Sequence, residues 1–238
     1  VKEKPYWPDG VPADLMYIHG EKPIHEYLKM HAAIRPDKPA YLFYGNPISY
    51  SELDYSVDCF AQFLHNQRVA KGDRVAIYMQ NCPQYIIAHY AIQRIGAIVV
   101  PLNPMYKEAE LRYLLNEVEA KAIIAGTELF PRLKSIRSHI PSIEFIITAH
   151  YADFLPKKPL LPIPQELTTK KYTIHDAIDF KRILYYATPF KENVKIDLWT
   201  DIGMMVFTSG TTGRQKAAML TYGSSLFKTA ATFSANQF

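Results

Sequence analysis

The sequence has only two cysteines in 238 residues, no uninterrupted apolar run of membrane-spanning length, and no strong excess of either charge. Each absence removes a class of function. Cys59 and Cys82 lie far apart with no close Cys or His pairing, so neither a disulfide framework nor a zinc site is expected, and a reduced, cytoplasmic protein is the simplest reading. The most apolar stretch, 85–102, is broken by His89, Gln93 and Arg94, and residues 1–10 carry prolines and charges where a signal core would be apolar. Neither a membrane span nor a secretion signal is expected. The 27 basic and 23 acidic residues are scattered and leave a formal charge of +4, with no basic stripe to track a phosphate backbone. Nucleic acid is therefore not expected as a partner.

Several motifs are missing as well. The eight histidines, including His25, His31, His65 and His89, show no His-x-x-x-His spacing and no His-Glu-x-x-His run, so packing and surface roles are expected of them. No Gly-x-Gly-x-x-Gly turn follows an early strand, which removes support for a dinucleotide-binding domain. No internal repeat or low-complexity tract is present.

What is present is an apolar fraction of 48%, ample for a core in one large domain or two small ones. Residues 23–34 fit a short helix, 41–44 a strand, and Gly45-Asn46 a turn. A helix is predicted from Ser49, with Ser49 and Glu52 as a capping box and Leu53, Val57, Phe60 and Leu64 on its buried face. A regular alternation follows: strand 74–79, helix 83–94 closed by Gly96, strand 97–100, helix 107–118, strand 121–125, helix 129–138 and strand 144–148. Short apolar runs alternating with helices signal βαβ units, so the predicted class is α/β, a mainly parallel sheet with helices on both faces. Residues 149–171 carry Pro156, Pro159, Pro162 and Pro164 among lysines and read as a long surface connection. A helix at 175–185, a strand at 201–207 and a helix from Ser224 complete the pattern. The expected division is an α/β subdomain over 1–196, with a Pro/Lys-rich connection at about 149–172, and the start of a second subdomain over 197–238.

Residues 207–216 read Phe-Thr-Ser-Gly-Thr-Thr-Gly-Arg-Gln-Lys directly after the last predicted strand. Gly210 and Gly213 permit backbone shapes that turn N–H groups toward a ligand, Thr208, Ser209, Thr211 and Thr212 offer hydroxyls, and Lys216 offers a mobile point charge. Such a loop suits the outer phosphates of a nucleotide. It is not a Walker A loop, because Arg214 and Gln215 separate Gly213 from Lys216 and Ala217 follows, so a phosphate-loop ATPase or kinase is not supported. Ser209 lacks the Gly-x-Ser-x-Gly setting and identifiable His and acidic partners, which excludes a hydrolase triad.

The string Thr208-Ser-Gly-Thr-Thr-Gly-x-x-Lys216 resembles the signature phosphate loop of the adenylate-forming superfamily. Ile48-Ser-Tyr-Ser-Glu-Leu53 resembles that family's first motif, and 91–103, with Gly96 and Pro101-Leu102-Asn103, its second, in the same order along the chain. Tyr78-Met-Gln-Asn-Cys-Pro-Gln84 and Val100-Pro-Leu-Asn-Pro-Met105 look most like fatty-acyl-type CoA ligases. The resemblance covers nearly the whole chain. It implies ATP, magnesium and coenzyme A as co-reactants, and a carboxylic acid joined first to AMP and then to coenzyme A. It assigns the β and γ phosphates to Thr208, Ser209, Thr211, Thr212 and Lys216, with Gly210 and Gly213 allowing close backbone approach. The chain departs from the pattern at Gln215, where proline is common, at Ala217, where glycine is common, and at Tyr222, where histidine is frequent.

Members of the family continue for a few hundred residues past this loop, supplying the adenine pocket, the acidic magnesium ligand, the hinge and a catalytic lysine. The chain is accordingly expected to be an amino-terminal fragment, cut by design or by a broken gene, with no complete catalytic set and no ligase activity of its own. An apolar surface of about several hundred Å² facing the remainder, and self-association through it, are expected. A different expectation is a non-catalytic interaction or assembly module that keeps the fold.

Overall fold

The computed structural model describes residues 15–168, 171–208 and 214–235. The chain opens with α1 (Ile24–Ile34), a hairpin of β1 (Pro39–Phe43) and β2 (Asn46–Ser49), and α2 (Tyr50–Asn66). The turn falls on Tyr44 and Gly45, both at positive φ, so that Asn46 pairs with Phe43 and begins a strand that the sequence reading had folded into the turn. A Cβ at Gly45 would also collide with the Leu160 side chain, which lies across the hairpin from the proline-rich connection. Ser49 caps α2 as expected: its Oγ accepts from Glu52 N–H at 3.2 Å and its own N–H donates to Glu52 Oε2 at 2.8 Å.

The alternating unit then runs β3 (Arg74–Tyr78), α3 (Pro83–Arg94), β4 (Ile98–Leu102), α4 (Glu108–Glu117), β5 (Ala122–Gly126), α5 (Phe130–Ser135) and β6 (Phe145–Ala149). The helix predicted over 129–138 is shorter than that: α5 is flanked by single 3₁₀ turns at Thr127–Leu129 and Arg137–His139. After the connection, Ile178 and Asp179 form β7 (Ile178–Asp179) beside β6, and α6 (Phe180–Tyr186) starts only there. The start is late because Asp179 acts as N-cap, its carboxylate accepting from Arg182 N–H at 2.9 Å. The described chain ends with β8 (Ile202–Phe207), β9 (Ala217–Thr221) and α7 (Tyr222–Ala235).

Seven strands form one sheet in the order β7-β6-β5-β3-β4-β8-β9, parallel throughout except for β9, which runs antiparallel to β8. β8 and β9 therefore extend the same sheet. Strand alternation sends Val75, Ile77, Ala122, Ile124 and Ile147 to a core under α1, α2, α3 and α6, and Ala76, Tyr78, Ile123, Ala125 and Ile146 to a second core under α4 and α5. Burial on both faces explains why these strands read as near-continuous apolar runs. Among the described residues no helix is long and apolar enough to cross a membrane.

One ion cluster ties two helices of the first core together. Arg94, at the end of α3 and 5% exposed, reaches Asp54 and Asp58 of α2, each at 2.7 Å. Burial pushes the Asp58 carboxyl up, against the opposing pull of Arg94. Removing Arg94 alone would strand two half-desolvated carboxylates.

Two histidines of this region are held neutral. Burial pushes the His25 imidazole down, and it pushes His89, stacked on Tyr85 and edge-on to Tyr90, down to about 4. The unfolded chain binds these protons near the ordinary histidine value of 6.5, so stability is full above that pH and falls as the pH drops toward 4. Urea unfolding below the ordinary histidine value of 6.5 and above about pH 4 is expected to show a loss approaching about 1.4 kcal/mol per pH unit from His89. His89→Phe should flatten that slope by about one proton; an unchanged slope would show that His89 is not held neutral.

Candidate functional site

Because β3, β4, β5, β6 and β8 are parallel, their C-terminal ends share one edge of the sheet. The loop at 208–216 leaves that edge between β8 and β9. The pairing of Phe207 with Ala217 sets its base, and Thr208 N–H donates to the Lys216 carbonyl at 3.0 Å to close it. Thr208 and Lys216 are both exposed and stand across the hairpin from each other. Lys216 Nζ has no counter-ion among the described residues. Ser209, Gly210, Thr211, Thr212 and Gly213, the other residues expected to hold phosphate, lie outside the described residues.

Behind the loop stands the turn between β4 and α4. Asn103 folds it locally, accepting from Met105 N–H at its Oδ1 (2.9 Å) and from Tyr106 N–H at its carbonyl (3.0 Å). Tyr78, buried at the end of β3, donates its hydroxyl proton to the Tyr106 carbonyl at 2.6 Å. Arg132 of α5 places Nη1 within 2.8 Å of Tyr78 Oη, 3.0 Å of the Pro104 carbonyl and 3.1 Å of the Tyr106 carbonyl. The turn and α4 each deliver one hydroxyl to the loop: Tyr106 Oη of the turn lies 3.3 Å from Gln215 Oε1, and Tyr113 of α4 donates to the Gln215 carbonyl at 2.8 Å. The Arg214 guanidinium lies over the Tyr113 ring, 5.7 Å from its centroid. None of Tyr78, Tyr106, Tyr113 and Arg132 was singled out as functional from the sequence. Their signal was weak: Tyr106 precedes the predicted helix and Tyr113 lies within it, and nothing local points to a partner a hundred residues on.

A second anchor sits one strand away. Tyr151, fully buried, donates to Glu128 Oε1 at 2.7 Å and accepts from Gln80 N–H at 3.0 Å, and burial together with the Glu128 charge pushes its phenol up. The Cys82 thiol nearby is pushed up to about 12 by burial, which makes it inert as a nucleophile at neutral pH. Among the described residues no group of three or more His, Cys, Asp or Glu side chains is placed to hold a metal ion.

Tyr222, at the position where histidine is frequent in the resembled family, is a core residue here. Its hydroxyl lies 3.1 Å from the Gln93 carbonyl and 3.3 Å from the Ala97 carbonyl, and its ring packs on Gly203, where an added Cβ would approach to 3.2 Å. Burial pushes its phenol up. Tyr222→Phe is expected to cost about 1 kcal/mol in urea unfolding, the net worth of one buried hydrogen bond. A cost near zero would show that the two carbonyls do not hold the hydroxyl.

With this geometry in view, the chain can be set beside known proteins. The family model described as AMP-binding enzyme matches residues 28–237. A long-chain-fatty-acid–CoA ligase of Bacillus subtilis is 33% identical over 95% of this chain and 41% of its own length. Another, of Haemophilus influenzae, is 31% identical over 79% of this chain and 34% of its own length. The chain thus spans less than half the length of these curated relatives. Among solved structures, that of a putative long-chain-fatty-acid CoA ligase from Rhodopseudomonas palustris superposes with a TM-score of 0.73 at 21% identity, covering 90% of this chain and 48% of that one. That likeness shows the shared fold.

Proposed function

We propose a function from an established premise: this chain belongs to the AMP-binding enzyme family. On that premise it contributes the amino-terminal part of an ATP-dependent acyl-CoA ligase, and the loop between β8 and β9 grips the β and γ phosphates of ATP. The observation that carries the reading is the closed hairpin base, which sets exposed Thr208 and Lys216, the latter without a counter-ion among the described residues, at the edge of the sheet where six parallel strands end. Ser209, Gly210, Thr211, Thr212 and Gly213 complete the grip in this proposal. Fatty acids are the proposed substrate class, supported by the names of the similar ligases from Bacillus subtilis and Haemophilus influenzae.

The reaction proposed for the whole enzyme has two steps. A carboxylate oxygen attacks the α-phosphorus as the bond to pyrophosphate breaks, and the thiol of coenzyme A then takes the acyl group and releases AMP. A carboxylate is already nucleophilic, so the first step needs alignment and charge neutralisation more than a general base. Lys216 supplies one positive charge to the departing phosphates, and magnesium is proposed to arrive with the triphosphate. A cytoplasmic setting is part of the same proposal.

A second reading, a non-catalytic module that binds a partner or a second copy, draws on the exposed Trp199, Met219, Phe227 and Phe233 at the β9 and α7 side. Calorimetric titration with Mg–ATP separates the two. The nucleotide reading expects binding that weakens at least tenfold in Lys216→Ala, the consequence of losing a charge-assisted contact worth about 1.5–3 kcal/mol. Equal affinity in both chains would remove the loop from the site. The 238-residue chain is further expected to form no acyl-CoA from fatty acid, ATP and coenzyme A, and detectable thioester would refute its dependence on further residues.

A further inference from the structure

The far end of the phosphate loop is held by more than its own hairpin. Tyr113 of α4 donates to the Gln215 carbonyl at 2.8 Å, and Tyr106, just before α4, approaches Gln215 Oε1 at 3.3 Å. Both acceptors of Gln215 are thus engaged by phenol hydroxyls. The next residue is Lys216, whose carbonyl closes the loop base with Thr208 N–H. Tyr106 is itself fixed, because its carbonyl receives the Tyr78 hydroxyl at 2.6 Å and lies 3.1 Å from Arg132 Nη1. Tyr78 belongs to β3, inside the sheet, and is fully buried. Contacts therefore run without a gap from a buried central strand, through the β4–α4 turn, to the residue beside the lysine.

From these contacts we propose that Tyr106 and Tyr113 are positioning residues for the phosphate loop, fixing Gln215 and through it the direction in which Lys216 leaves the hairpin. The proposal rests on the nucleotide reading above and adds the device that sets its geometry. Lysine has a flexible stem and gives up considerable rotamer freedom when its ammonium is placed on a ligand. Fixing the preceding peptide lowers the part of that cost that comes from the backbone. A proline at position 215 would restrict the backbone through its ring. Glutamine has no such ring, and here two hydroxyls from outside the loop supply the restraint. The Arg214 guanidinium over the Tyr113 ring keeps that phenol covered on the same side.

The test uses Tyr106→Phe, Tyr113→Phe and the double variant, which keep the rings and remove the hydroxyls. Amide hydrogen exchange is followed by NMR without nucleotide, and Mg–ATP affinity is titrated beside the wild-type and Lys216→Ala chains. In the double variant, exchange at Thr208 N–H is expected to quicken at least fivefold while the amides of 75–78 keep their rates, and Mg–ATP affinity is expected to fall about fivefold. Unchanged exchange at Thr208 overturns the proposal whatever the nucleotide result. Faster exchange throughout the sheet, or a loosened loop with unaltered affinity, also overturns it by reducing the tyrosines to packing. Failure of the nucleotide reading is distinguishable, since it appears as equal affinity in the wild-type and Lys216→Ala chains.

Discussion

Parallel pairing of β3 with both β4 and β5, and of β4 with β8, gathers the C-terminal ends of strands from distant parts of the chain along one edge. The strands themselves offer no place for polar chemistry. Val75, Ala76, Ile77 and Tyr78 are all buried, as is the whole of β5, because helices cover both faces. A polar ligand can meet backbone and side-chain donors only where the strands stop. The hydroxyl-rich loop lies at that edge because it follows directly on β8, whose direction is set by β4.

Buried phenols convert this edge from a set of loose loops into a defined surface. Tyr78 and Tyr151 each root a ring in the core and place a hydroxyl on backbone or carboxylate groups at the strand ends. At the opposite edge, where β4 and β8 begin, Tyr222 roots a ring in the same way between α7 and the end of α3. A phenol suits the task, since its ring is stabilised by burial while its hydroxyl needs a partner. Arg132 adds a charged donor over the β4–α4 turn, beside the Tyr78 hydroxyl that already reaches the Pro104 and Tyr106 carbonyls. Order thus passes from core to edge to loop, and the placement of Lys216 depends on residues that touch no ligand.

Much of this fold was legible in the sequence. The run from β3 to β5 was read to within two residues at each boundary, because its strands are short apolar stretches alternating with helices, the first of them closed by Gly96. β9 was missed: Ala217–Thr221 has no apolar alternation and gains its shape only by pairing with β8. β7 was absorbed into a helix, since two residues form a strand only by virtue of the Ile147 and Thr148 they meet. The loop proposed to hold phosphate stands out in the sequence because its residues are contiguous. Tyr106 and Tyr113 do not, because they meet Gln215 across 109 and 102 positions, a relation that only the sheet order creates. The departure at Tyr222 was visible, but its meaning as a core anchor required the neighbouring carbonyls.

The central claim is that the edge between β8 and α4 receives the phosphates of a nucleotide. The most direct measurement follows backbone amide shifts of the isotope-labelled chain by NMR as Mg–ATP is added. The account predicts saturable shifts confined to 207–217 and the β4–α4 turn at 103–107, with the opposite edge of the sheet silent. Shifts concentrated elsewhere, or none at millimolar nucleotide, would contradict it.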